Sequence, residues 1–165
     1  MTKENLIFHI INKEHIVLEY LNINNTDIDG IYIKLPYTPP TIAIKSCLQN
    51  DHKKYISVLS EELGHHFTTT GDLTIKSKNY SERLYKNKKE RKAKIWAANF
   101  LISDSEFVQA LNNCIILIPE MAEHFQVTEE IINYKISSLI SDEIKYMNIR
   151  TAFMLKDIPY NSCII

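Results

Sequence analysis

Residues 51–72 restrict the fold of this chain more than any other stretch. Asp51 is a good helix N-cap, and Ile56, Leu59, Leu63 and Phe67 recur at helical spacing. Thr68-Thr69-Thr70-Gly71-Asp72 then breaks the pattern. The predicted helix, about 51–67, must bury an apolar stripe while carrying Glu61, Glu62, His65 and His66. Residues 58, 61, 62 and 65 share one side, because their spacings are three and four. Gly64 interrupts the helix, where glycine costs about 1 kcal/mol relative to alanine. A glycine is kept at such a place when another backbone or a ligand comes close.

The segment Glu61-Glu62-Leu63-Gly64-His65-His66 differs by one residue from the zinc-peptidase pattern H-E-x-x-H. That pattern uses two ligands at i and i+4, with a carboxylate between them that takes a proton from water. Glu62 and His65 match the base and the second ligand, and Glu61 stands where the first histidine is expected. Catalytic zinc usually takes three protein ligands. Glu90, at the start of a second predicted helix, is the candidate third. It shares a face with Ala93, Lys94 and Ala97, small enough in part for the two helices to approach closely. The plainer readings are a polar helix face for the first group and charge balance for Glu90, which lies amid Lys88, Lys89, Arg91 and Lys92.

The rest of the chain reads as a short mixed region followed by helices. Leu6, Ile7, Ile10, Ile11, Val17, Tyr20 and Leu21 predict a first helix over about 3–21. Asn24–Asp27 reads as a turn. Gly30–Leu35 and Thr41–Lys45 read as strands separated by a proline-rich break, and a hairpin-like pair is expected. Glu90–Ile102 reads as a helix that buries Ala93, Trp96, Ala97, Phe100 and Leu101. Ser103-Asp104-Ser105-Glu106 is a capping box opening a helix to about Asn112. Pro119 suits a first helical turn, and Thr128 is expected to cap a helix running to about Met147. Residues 150–165 are too irregular to assign.

With 165 residues, 45% hydrophobic and 24% charged, the chain is expected to form one globular domain over 1–165. No apolar run approaches a membrane span, and the N-terminal residues lack a signal-peptide layout. The cytoplasm is the expected compartment. Cys47, Cys114 and Cys163 include no C-x-x-C pair, so neither a cysteine zinc site nor a disulfide framework is expected. The net charge of -1 conceals a basic stretch: from Lys76 to Lys94 nine residues are basic and two, Glu82 and Glu90, are acidic. Such a stretch is either a solvated face or a site for phosphate or an acidic partner. His9, His15, His52 and His124 read as surface or core-edge residues.

Three segments in order resemble one known family. Leu59–Asp72 resembles the active-site helix of the ImmA/IrrE metallopeptidases, a family found in phages and mobile elements. Glu90–Ile102 is similar to their second signature, a glutamate followed by alanine, an aromatic-Ala-Ala run and an apolar segment. Met121–Thr128 is similar to their helix-turn-helix-like tail. The resemblance covers roughly residues 28–145. It implies an α+β, mainly helical zincin-like domain with a small β-sheet and a helix-turn-helix-like C-terminal part. It implies zinc held by Glu61, His65 and Glu90, with Glu62 as the catalytic base. Glu61 falls on the first histidine ligand, and Lys94 and Ser103 replace the common Asn and Pro. The implied substrate is a helix-turn-helix repressor encoded by a phage or mobile element, cleaved or inactivated to derepress its genes.

Two other functions compete. A non-catalytic interaction protein on the same scaffold would account for Glu61, since a second carboxylate weakens a metal's Lewis acidity. A DNA-binding regulator would use Glu120–Leu139 as two helices about a turn. Its recognition helix would begin Glu129-Glu130, the wrong charge for phosphates, so no direct nucleic-acid contact is expected.

Overall fold

The computed structural model describes residues 2–22, 28–69 and 79–154. They form two compact units, Met1–Ala97 and Ala98–Ile165. Among the described residues the first carries a mixed sheet and three α-helices: α1 (Lys3–Lys13), β1 (Val17–Leu21), β2 (Gly30–Ile33), β3 (Thr41–Lys45), α2 (His52–Thr68), preceded by a short 3-10 turn (Ser46–Asn50), and most of α3 (Tyr80–Leu101). The second continues with α4 (Asp104–Asn112), α5 (Ile118–Phe125), α6 (Glu129–Ile140) and α7 (Glu143–Met154). The mainly helical α+β architecture expected from the sequence is the one observed. The expected turn at Asn24–Asp27, the helix terminator at 70–72 and Lys76 and Lys78 lie outside the described residues.

The sheet runs β1-β3-β2, parallel between β1 and β3 and antiparallel between β2 and β3. β3 is central and reads Ile42-Ala43-Ile44 because both of its faces are covered: all three residues are buried. The expected pairing of the two strand segments is present, with Tyr32 opposite Ile42. The expected helix over 3–21 is not: it stops at Lys13, and 17–21 is strand β1. His15 adopts a left-handed φ of 52°, and Ile16 N–H closes onto Ile11 O at 2.9 Å, so the helix is capped and the chain leaves it. Val17 N–H then donates to Pro40 O, placing the chain alongside β3. Apolar spacing alone does not separate a helix end from a strand that pairs with a segment 24 residues away.

α2 packs across the sheet with Ile56, Leu59 and Leu63 buried beneath it. Asp51 caps it as expected, accepting from Lys54 N–H at 3.1 Å. Its last carbonyls are closed by Thr68 Oγ1 to Gly64 O (2.7 Å) and Thr69 Oγ1 to His65 O (2.5 Å). α3 begins ten residues earlier than the apolar pattern predicts. Its first turns, Tyr80 to Tyr85, are exposed on every side, so they carry no stripe to read.

In the second unit the Ser103 capping box forms, with Ser103 N–H donating to Glu106 Oε2 at 2.8 Å and Glu106 N–H to Ser103 Oγ at 3.2 Å. α5 ends at Gln126 in a left-handed conformation, and Val127 N–H reaches back to Ala122 O, so α5 and α6 form two helices about a tight turn. The single helix expected from Thr128 to Met147 is two. Asp142 accepts from Lys145 N–H at 3.1 Å and so starts α7 afresh. Cys47 is a free, exposed thiol, whereas Cys114 is disulfide-bonded, although the cysteine spacing led to no disulfide framework being expected. Among the described residues no helix is long and apolar enough to cross a membrane.

Candidate metal centre

Glu61 and His65 stand one turn apart on α2, with Glu62 beside them. Glu62 and His65 are buried, 7% and 4% exposed. Glu90 arrives from α3, its Oε2 3.2 Å from His65 Nε2. One donor atom from each of Glu61, His65 and Glu90 lies within 4.8 Å of the other two. The three residues singled out as ligands in the sequence therefore converge, although Glu90 is 25 residues from His65.

Two glycines make the convergence possible. A Cβ built at Gly64 would run into the Ala93 carbonyl oxygen and lie 3.0 Å from Ala93 C and Cα. Only a residue without Cβ lets the α3 backbone come this near, and that approach delivers Glu90 one turn earlier on the same side as Ala93. Gly30 plays the same part for the sheet. A Cβ there would sit 2.7 Å from Val58 Cγ1 and 2.9 Å from Glu62 Oε1. β2 thus lies directly on Glu62, whose carboxylate accepts the Tyr32 backbone N–H. Among the described residues β2 is an edge strand of this sheet. Together with Ile28, Glu62, His65, Lys86 and Glu90 it walls a cleft of about 380 Å3.

The electrostatics follow from crowding carboxylates in a dry place. Burial pushes Glu62 up to about 8; His65 and the Tyr32 N–H pull it down, while Glu61 and Glu90 add to the rise. Burial works to lower His65, but its hydrogen bond to Glu90 and the charges of Glu62, Glu90 and Glu61 leave it raised. Glu90 is lowered, first by its hydrogen bond to His65, with burial opposing and Lys86 and Lys94 assisting. The cluster is thus poised to attract positive charge.

The donor set fits a divalent cation. One imidazole and two carboxylates are oxygen and nitrogen ligands of the kind zinc takes, and ligand atoms about 2.05 Å from a tetrahedral ion stand about 3.3 Å apart. The 3.2 Å between His65 and Glu90 already matches that separation. Glu61 has a competitor: its Oε1 lies 3.3 Å from Lys94 Nζ. A cation would therefore displace an ammonium from one ligand and a shared proton from another.

A profile of the IrrE N-terminal-like domain, a peptidase family, matches residues 11–137. The chain belongs to the IrrE N-terminal-like peptidase family. No curated protein and no solved structure matches it. The matched span begins before the resembling segments, inside α1, and takes in the whole sheet.

Within this IrrE-like domain several residues take places that the sequence did not assign. His66, next to His65 on α2, is engaged elsewhere: Nδ1 meets Tyr32 Oη at 3.0 Å and Nε2 lies 3.6 Å from Glu14 Oε2. Phe67 beside it stacks on Trp96, centroids 5.0 Å apart. Tyr80 and Tyr85, on the first turns of α3, are 76% and 59% exposed and do not line the cleft. Lys86 lines it instead. The sequence held a signal for Lys86, since it lies four residues before Glu90 and so on the same side of α3. Gly30 and Tyr32 had no local signal, because their roles depend on how the strand lies over α2.

Proposed function

We propose that this chain is a zinc-dependent metallo-endopeptidase that acts in the cytoplasm on a helix-turn-helix repressor of a phage or mobile element, cleaving or inactivating it. The observation that carries the reading is the meeting of Glu61, His65 and Glu90 beside buried Glu62 in a cleft walled by an edge strand. Glu61, His65 and Glu90 would hold the ion, and a bound zinc would supply Lewis acidity there.

The chain's own residues supply the remainder. Glu62 in its carboxylate form takes the proton of the attacking water and later passes it to the leaving amine. Its position is fixed by the Tyr32 N–H and by the close seat of Gly30. The low-dielectric setting that raises its pKa also keeps it a strong proton acceptor once positive charge stands nearby. β2 offers main-chain partners to an extended polypeptide, which favours an internal peptide bond as substrate. The repressor is carried by the family resemblance, not by a residue of the cleft.

The test is a Glu62→Gln variant of the full chain. Hydrolysis of the polypeptide substrate is expected to fall by about 10²–10⁴-fold, with stoichiometric zinc retained. A variant that still cleaves or inactivates its partner would remove Glu62 from the mechanism.

A second reading, a non-catalytic interaction protein on this scaffold, draws on the Lys94–Glu61 contact, which satisfies one ligand without a metal. It predicts that zinc content and partner inactivation are unrelated. A DNA-binding role has less behind it: Glu129 and Glu130 are exposed at the start of α6, where phosphates would have to sit.

A further inference from the structure

The first half of α3 contributes nothing to the core, yet it leads straight into the cleft. Lys86 stands on the cleft wall, one turn before Glu90. Beside it, Tyr85, Lys89 and Lys92 follow at spacings of four and three and form a stripe along the shoulder of the helix. Tyr85 is 59% exposed, and the Lys89 ammonium lies over its ring, 4.4 Å from the centroid. The ring is thereby held outward with positive charge on one face, an amphipathic contact surface rather than a scatter of solvated lysines.

We infer that this stripe docks an acidic segment of the polypeptide substrate, flanking the bond presented to Glu62. The inference rests on the peptidase reading for the identity of the occupant. Charge decides between the candidates. The cleft itself is lined by Glu62 and Glu90, with Glu61 close to Glu90 and His65, so it disfavours an anion and takes a neutral stretch of chain. The stripe next to it has the opposite sign. A polypeptide can divide its charge to match, with acidic residues on α3 and neutral ones along β2. A nucleic acid carries uniform phosphate charge and would be repelled at the cleft. Lys86, at the junction, marks where the acidic part must end. Such a surface sets specificity and rate of encounter more than affinity, and it weakens with salt.

The experiment uses the full chain carrying Glu62→Gln, so that nothing is cleaved. Binding of a fluorescein-labelled polyglutamate peptide, its glutamine counterpart and a labelled DNA duplex is followed by anisotropy over a range of salt. The acidic peptide is expected to bind most tightly, and Lys89→Glu with Lys92→Glu is expected to weaken it at least about tenfold. Lys89→Gln with Lys92→Gln, a milder pair in case the reversal disturbs folding, should weaken it by a smaller factor. Tighter binding of the duplex than of the peptide, or binding indifferent to both pairs, would overturn the inference. The two readings fail separately. Glu62-dependent cleavage with charge-indifferent binding removes the docking stripe and leaves the peptidase. Charge-dependent binding by a chain whose cleavage ignores Glu62 keeps the stripe and removes the peptidase.

Discussion

The two units of this chain each bury charge, and they do so on opposite terms. In the second unit Lys135 is 0% exposed, and its Nζ donates to Asn99 Oδ1 at 2.9 Å and Asp104 Oδ1 at 2.5 Å. Ser138 closes the group by donating to Lys135 O and Asn99 Oδ1. One buried cation meets one carboxylate, and the neutral side chains fill the remaining positions. In the first unit Glu61, Glu62 and Glu90 crowd around His65, whose Nδ1 is buried without a partner among the described residues. Three carboxylates face one imidazole there, with Lys94 and Lys86 on the margin. A network closed on itself fixes a fold, whereas carboxyl groups converging on an imidazole with an unpartnered nitrogen leave a place for something from outside.

The sharpest way to break that contrast is to remove a ligand from the open cluster. His65→Ala should cut zinc affinity by at least about a hundredfold, read by metal analysis and competition titration. Lys135→Met should leave it unchanged. Equal zinc content in wild type and His65→Ala would put the two clusters in the same class.

Next in size is the frame. Gly64→Ala places a methyl against the Ala93 backbone, and overpacking of this kind costs about 1–3 kcal/mol. Thermal unfolding should register the loss, and zinc should bind more weakly because Glu90 is pushed away. Unchanged stability would mean that the α2–α3 approach is softer than the geometry implies.

The closed cluster gives a smaller effect. Lys135→Met keeps most of the buried volume, and Asp104, whose side chain is 42% exposed, can be hydrated instead. A change within about 1.5 kcal/mol is expected. Lys135→Ala adds a cavity and should cost more, about 2–3 kcal/mol. Denaturant midpoints of the two variants would rank them, and the reverse order would show that the charge, not the packing, holds the unit.

The smallest effect is the pH dependence of Asp104. Burial works to raise its pKa, but the hydrogen bond and charge of Lys135 and the charge of Lys145 leave it lowered. Its folded pKa lies below its unfolded one, so its contribution to stability is present above the unfolded value, about 3.9, and is lost as pH falls through the folded value. Solvent screening at so exposed a carboxylate limits the contribution to a few tenths of a kcal/mol. Asp104→Asn should flatten acid unfolding in that window, and an unchanged profile would remove the ion pair from the stability of the unit.

The contrast also explains what the sequence made legible. Glu61, Glu62 and His65 lie within one turn and a half of a helix with a clear cap, so their mutual geometry followed from spacing. Glu90 was reachable because Ala93 and Ala97 share its face and Gly64 needed a close neighbour. The Lys135 group gave no such sign: Asn99 and Asp104 are 36 and 31 residues away, and a lone lysine in a helix reads as solvated. β1 was hidden for the same reason, since Val17–Leu21 becomes a strand only through Thr41–Lys45. The start of α3 was missed on different grounds. Lysine and arginine favour helices intrinsically, but a helix exposed all round has no hydrophobic period to detect.

The close seat of Gly64 on Ala93 has a bearing on how such a centre changes over time. The separation of α2 and α3 is set by main chain against main chain at Gly64 and Ala93, where no side chain can adjust it. Glu61, His65 and Glu90 are therefore mounted on a frame that does not depend on their own identity. With a metal bound, glutamate rather than histidine at position 61 would alter which ion is preferred and how strongly, while the frame stays as it is. A side chain of the cluster can therefore change without moving either helix, because Gly64 and Ala93 meet through main chain alone.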